Sequence, residues 1–169
     1  RGSMGTNGAS SAESIAPSQF IHVHSGDGRV VSEQDFGKRH IVLTPMRNEA
    51  DFVEKCAISM VEQNILPEEW IIIDDSSDDS SSEIVEKFAK NHSWIKILKT
   101  KIPGKRGRGE RIARLINIGL EEVTSEWDFC SKIDADIILP ERYFEEILYR
   151  FNQNDKLGIA SGGCYVDGL

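Results

Sequence analysis

Two carboxylates one residue apart, Asp134 and Asp136, follow the run from Trp127 to Ile133. Alternate residues of an extended segment point the same way, so both acids can face one group. Their hard oxygens suit Mg2+ or Mn2+, which take few protein carboxylates and complete their shell with phosphate and water. A second acidic pair, Asp74-Asp75, ends the run Trp70-Ile71-Ile72-Ile73. An Asp there can accept hydrogen bonds from a nucleobase N–H or a ribose hydroxyl. Two adjacent acids repel one another, and neither is needed to start a helix several residues later. For Ser76, Ser77, Asp78 and Asp79 a turn plus helix cap explains the residue types equally well.

Basic residues are also clustered. Lys99, Lys101, Lys105, Arg106, Arg108, Arg111 and Arg114 fall close together, with Glu110 the one acid among them. A Gly-rich loop entering a helix offers backbone N–H groups to an anion, so this stretch suits a diphosphate. A solvated basic loop is the alternative for any single member. Asn117, on an otherwise apolar helix face, either reaches the acidic loops or satisfies buried backbone.

Alternating strands and helices must position these groups. Ile41-Val42-Leu43 reads as a buried strand closed by Thr44-Pro45, followed by a helix capped by Asn48 with Phe52, Val53, Cys56, Ala57 and Met60 inward. The strand from Trp70 precedes a helix opened by the capping-box pattern Ser80-x-x-Glu83. Trp94 to Leu98 is a third strand, and the next helix carries Ile112, Leu115, Ile116 and Leu120. Trp127 to Ile133 is a fourth strand. Pro140 starts a helix with Phe144, Ile147, Leu148 and Phe151 inward, and Leu157 to Ala160 begins a fifth strand. Strand–helix alternation predicts an α/β fold with a mostly parallel sheet. Ligands gather at the carboxyl ends of such strands, where both acidic pairs fall.

Composition narrows the classes further. The 169 residues are 39% hydrophobic and 28% charged, with net charge −8. These values fit one globular domain and exclude a general polyanion binder, so no nucleic-acid partner is expected. Residues 1–19 read as a disordered, vector-derived tail, and residues 20–39 as a hairpin around Ser25-Gly26-Asp27-Gly28 or an extension. The domain proper is expected over 40–169. Cys56, Cys130 and Cys164 have neither zinc-site nor disulfide spacing. No run approaches the ~20 apolar residues of a membrane span. The expected location is cytoplasmic, with peripheral membrane association left open.

The ordered motifs Ile41-Val42-Leu43-Thr44-Pro45-Met46-Arg47-Asn48-Glu49, then Ile71-Ile72-Ile73-Asp74-Asp75-Ser76-Ser77-Asp78, then Asp134-Ala135-Asp136 before Pro140, resemble those of family 2 glycosyltransferases. The resemblance implies the GT-A (Rossmann-like) fold, a three-layer sandwich, here apparently truncated at the C-terminus. It also implies transfer of a sugar from a nucleotide-diphosphosugar, UDP-linked in many members, to a sugar, polysaccharide or lipid-linked acceptor. Pro45 and Arg47 would line the base pocket, with Asn48, Glu49 and Asp74 in the same site. Asp75 would meet the base, Arg106 the nucleotide, Asp134 the ribose or metal region, and Asp136 would ligate Mn2+ or Mg2+. Arg47 departs from the aromatic or small residue common at its position. No acid matches the family's general base, so a fragment that binds donor without transferring it is expected. The competing expectations are a non-catalytic nucleotide-sugar-binding module and a haloacid-dehalogenase-type phosphatase using Asp134 as nucleophile.

Overall fold

A computed structural model describes residues 22–24, 30–32, 38–102 and 109–165. Two short strands, β1 (His22–His24) and β2 (Val30–Ser32), pair antiparallel. The body consists of β3 (His40–Met46), α1 (Val53–Val61), β4 (Glu69–Asp75), α2 (Ser81–Asn91), β5 (Ile95–Thr100), α3 (Glu110–Glu121), β6 (Phe129–Lys132) and α4 (Tyr143–Gln153). Its sheet has the order β5-β4-β3-β6, and every neighbouring pair is parallel.

Every residue of β3 and β4 is buried, which explains their unbroken apolar runs. Val42, Met46, Trp70 and Ile72 pack on one face with residues of α1, α2 and α4. Leu43, Ile71 and Ile73 pack on the other with Leu115 of α3. The result is three layers. Helix α3 comes close to the sheet at Gly119, where an added Cβ would lie 2.9 Å from Ile73 Cδ1 and 3.3 Å from Leu43 Cδ2.

Pro45 continues β3 rather than closing it. The Leu43 carbonyl accepts from Ile133 N–H beside β6, and with a period of two Pro45 faces the same side. There β6 has already ended at Lys132, so its missing N–H costs no ladder bond.

Several expected boundaries move. The α1 helix starts at Val53 with Phe52 at the N-cap position; Asn48 has φ 56° and turns the chain instead of capping. Ser80 makes no side-chain cap, because Asp79 Oδ1 takes Ser81 N–H at 2.9 Å from outside. The α4 helix begins after Pro140, whose carbonyl accepts Tyr143 N–H in a preceding turn. Its inward residues are Phe144, Glu145 and Leu148. Ile112 and Asn117 are exposed, since the buried stripe of α3 runs through Leu115 and Gly119. No strand forms over Leu157–Ala160, and Ile159 is 88% exposed. Gly158 and the Gly162-Gly163 pair nearby are poor strand formers, and no described strand pairs with this segment.

Candidate functional site at the carboxyl edge of the sheet

Because all four strands run the same way, β3, β4 and β6 end on one edge. Met46 stands opposite Asp74, and Lys132 opposite Leu43. The acidic pair ending β4 and the acidic pair after β6 therefore flank the end of β3. At the usual strand spacing their backbones emerge about 10 Å apart.

Asp74 and Asp75 are both buried at the end of β4, but they do different things. Asp74 accepts Ser77 N–H at 2.9 Å and the Ser82 hydroxyl. Its carboxylate is thus occupied in shaping the β4–α2 loop. Asp75 is gripped by Arg111 of α3, Nε to Oδ2 at 2.5 Å and Nη2 to Oδ1 at 2.8 Å. Arg47 Nη1 lies 4.0 Å from the same Oδ2. The Asp75 carboxylate raises the Arg111 pKa above its ordinary value through that hydrogen bond. Arg111, which the sequence suggested as an anion ligand, is committed to Asp75. A carboxylate oxygen has two lone pairs, so each Asp75 oxygen can accept a second hydrogen bond beside the one from Arg111.

The first loop is laced to the β4–α2 loop. Asn48 Nδ2 donates to Asp78 Oδ1 at 2.6 Å while Asn48 Oδ1 accepts Asp78 N–H at 2.9 Å. Asn48 N–H reaches Ser77 Oγ, Glu49 N–H reaches Ser81 Oγ, and Ala50 N–H reaches Asp79 Oδ2. Asn48 and Ser76, at φ 56° and 57°, are the described non-glycine residues with left-handed backbones. Ser76 directly follows β4 and Asn48 lies two residues past β3, where the chain must turn sharply over the sheet edge. Ser77, Asp78 and Asp79 serve this lacing, which is the structural alternative for them. Pro45 lies buried within β3 and not on the loop. Arg47 sits where the loop begins, half-buried, and its Nε has no hydrogen-bond partner among the described residues.

Asp134 and Asp136 do not lie on an extended strand. Ile137 N–H bonds the Asp134 carbonyl at 3.2 Å, closing a turn just after β6. Ile133 and Ala135 are buried while Asp134 and Asp136 are exposed, so the turn still presents both carboxylates outward. Lys132 Nζ pairs with Asp134. Burial raises the Glu49 pKa, and Asp136, Asp79 and Asp134 raise it further. Burial, then Asp136 and Asp134, push the Cys56 thiol up to about 12. The first loop and the acidic turn thus share one strongly negative neighbourhood. Among the described residues no three His, Cys, Asp or Glu side chains are grouped to hold a metal ion. Two exposed carboxylates fit Mg2+ or Mn2+ only as a partial shell, with diphosphate and water supplying the remainder. Arg106, with Lys105 and Arg108, lies outside the described residues. All three cysteines are free, and no described helix is long and apolar enough to cross a membrane.

The family model for glycosyl transferase family 2 matches residues 41–167. The chain belongs to that family. A poly-beta-1,6-N-acetyl-D-glucosamine synthase from Staphylococcus epidermidis is 30% identical over 68% of this chain and 26% of its own length. The uncharacterized glycosyltransferase YibD of Escherichia coli is 31% identical over 75% of this chain and 33% of its own. This family 2 chain thus spans about a quarter to a third of the curated relatives it matches. Among solved structures, TarS 1-349 of S. aureus superposes with a TM-score of 0.56 at 21% identity, covering 68% of this chain and 32% of that one. A Pyrobaculum calidifontis mannosyltransferase superposes at 0.52 with 24% identity, over 68% and 32%. Both likenesses establish the GT-A fold for this family 2 domain.

Proposed function

We propose that this chain is the donor-binding portion of a glycosyltransferase that moves a sugar from a nucleotide-diphosphosugar, UDP-linked, to an acceptor hydroxyl. The observation that carries the reading is the shared sheet edge. A buried carboxylate oriented by arginine stands at the end of β4, and two exposed carboxylates stand two strands away after β6. A nucleoside diphosphate has a hydrogen-bonding base at one end and metal-binding phosphates at the other, and it matches that layout. Membership of family 2 supports the reading. So do the ligands named for the two folds alike: TarS 1-349 was solved with UDP-GlcNAc, and the mannosyltransferase with GDP-Man and Mn2+.

Asp75, held in place by Arg111, accepts a base N–H, and Arg47 covers the base from the first loop; an Arg guanidinium stacks on a ring face. Asp134 and Asp136 are the residues that would hold Mn2+ or Mg2+. The cation supplies positive charge opposite the departing diphosphate. The acceptor oxygen attacks the anomeric carbon as the bond from that carbon to the diphosphate oxygen breaks, and the acceptor proton passes to a general base. No residue of this chain is assigned as that base. A polysaccharide or lipid-linked acceptor is in keeping with the polysaccharide synthases among the relatives.

Calorimetry with UDP and Mn2+ tests the proposal. Binding that Asp75→Asn and Asp136→Ala each weaken supports it. No heat from the folded chain, or full affinity in both variants, overturns it.

A further inference from the structure

Cys56 and Ser59 on the core face of α1, and Gln63 just past its end, all meet one segment. Cys56 Sγ lies 3.8 Å from the Asp134 carbonyl. One turn on, Ser59 Oγ accepts Leu139 N–H at 3.1 Å while donating to Cys56 O at 2.9 Å. Four residues further, Gln63 Nε2 donates to the Pro140 carbonyl at 2.7 Å and to Ser59 O at 3.0 Å, and its Oε1 faces Phe144 N–H at 3.4 Å. Asn64 N–H adds a bond to the Glu141 carbonyl at 3.1 Å. Cys56 and Ser59 lie one above the other on α1, Gln63 follows just past the helix end, and the three meet the segment from Asp134 to Phe144 in chain order.

This matters because that segment has no ladder of its own. Between β6 and α4 the chain forms only turns, yet Ile133, Ala135 and Leu139 are buried. Buried backbone groups need partners. Ser59 and Gln63, themselves buried, supply them. A buried amide with all its groups in use fixes one arrangement of the chain around it.

Building on the reading above, we propose that Ser59 and Gln63 are positioning residues, a clasp at the C-terminal end of α1 that sets where Asp134 and Asp136 stand. Neither touches the donor. Their influence reaches the cation through the turn they hold, as outer partners of metal ligands do; loss of such partners costs about 10–100-fold in metal affinity.

The test compares wild type, Gln63→Leu and the milder Ser59→Ala by calorimetry with UDP alone and with UDP plus Mn2+. Folding of each is checked by circular dichroism. The expected result is an affinity for UDP alone that stays within about twofold. The gain from adding Mn2+ should fall by about tenfold in Ser59→Ala and further in Gln63→Leu. Equal loss with and without Mn2+ marks a residue that only supports the fold and overturns the proposal. So does an unchanged Mn2+ gain.

A wild type that binds UDP with no Mn2+ gain, or fails to bind it, sinks the donor or metal reading instead. Amide exchange then decides the clasp. Faster exchange at Ile137 and Leu139 in Ser59→Ala, with β3 and β4 amides unchanged, sustains it. Equal protection in wild type and variant overturns it.

Discussion

Arg111 closes on Asp75 across 36 positions of sequence, donating from Nε to one carboxylate oxygen and from Nη2 to the other. A fork of this kind fixes both the position and the plane of the carboxylate. It also offsets the cost of an acid buried at a strand end. The end of β4 and the start of α3 are thereby joined at the place where a nucleobase would bind.

Arg111→Lys keeps a charge but cannot form the fork. The expected outcome is about tenfold weaker UDP binding with the fold retained, the size of one charge-assisted hydrogen bond. Arg111→Ala should weaken it more. Calorimetry on both variants checks the order; equal affinity in all three proteins would show that Asp75 needs no orienting partner.

Glu69, at the amino end of β4, responds to opposing influences. Burial raises its pKa, but hydrogen bonds from Lys96, Ser125 and Thr124 together outweigh burial and hold it at about 2. A carboxyl lowered from 4.5 to about 2 contributes stability that is present above pH 4.5 and lost as pH falls toward 2. Glu69→Gln should therefore cost roughly 2–3 kcal/mol at neutral pH, a gap that closes in acid. Urea melts at several pH values read it directly.

His40 loses stability in a different window. Burial lowers its imidazole from 6.5 to about 4, and its Nε2 has no partner among the described residues. The ring lies 4.7 Å from that of Phe144. The unfolded chain takes up the proton first, so folding weakens as pH drops from 6.5 through 4, by up to about 3 kcal/mol. In His40→Leu the loss over that window should disappear while the Glu69 loss below pH 4.5 remains.

Gly119→Ala sets two magnitudes against each other. Ala improves a helix interior by about 1 kcal/mol, but its methyl would sit 2.9 Å from Ile73 Cδ1, and overpacking a core costs about 1–3 kcal/mol. Packing should win by up to about 2 kcal/mol, seen as a lower denaturation midpoint at unchanged slope. A stabilised variant would mean that α3 moves off the sheet at little cost.

The parts of this protein that the sequence reveals are those where one period or one residue type decides the outcome. Ile71-Ile72-Ile73 can only be a strand covered on both faces, and so it is. The acids at its end stood out because an apolar run rarely stops in two charges, and the structure places both, buried, at the end of β4. Tertiary contacts settled what the period could not. Asn48 looked like a helix cap, yet its amide is taken by Asp78 across the sheet edge. Arg111 looked like one basic residue among seven until α3 placed it on Asp75. Ser59 and Gln63 left a fainter trace, one polar residue on an apolar helix face and one just past the helix end, but what they hold comes from elsewhere in the chain. Leu157–Ala160 had strand-like residues, but no strand among the described residues pairs with them, which no local pattern discloses.

The most direct measurement is paramagnetic broadening of backbone amides by Mn2+ in the presence of UDP, followed by NMR. The account predicts strongest broadening at Ala135, Asp136 and Ile137, weaker broadening at Glu49, and shifts at Asp75 and Ser76 that UDP alone also produces. Broadening centred away from the β6 turn, or none at saturating UDP and Mn2+, would contradict it.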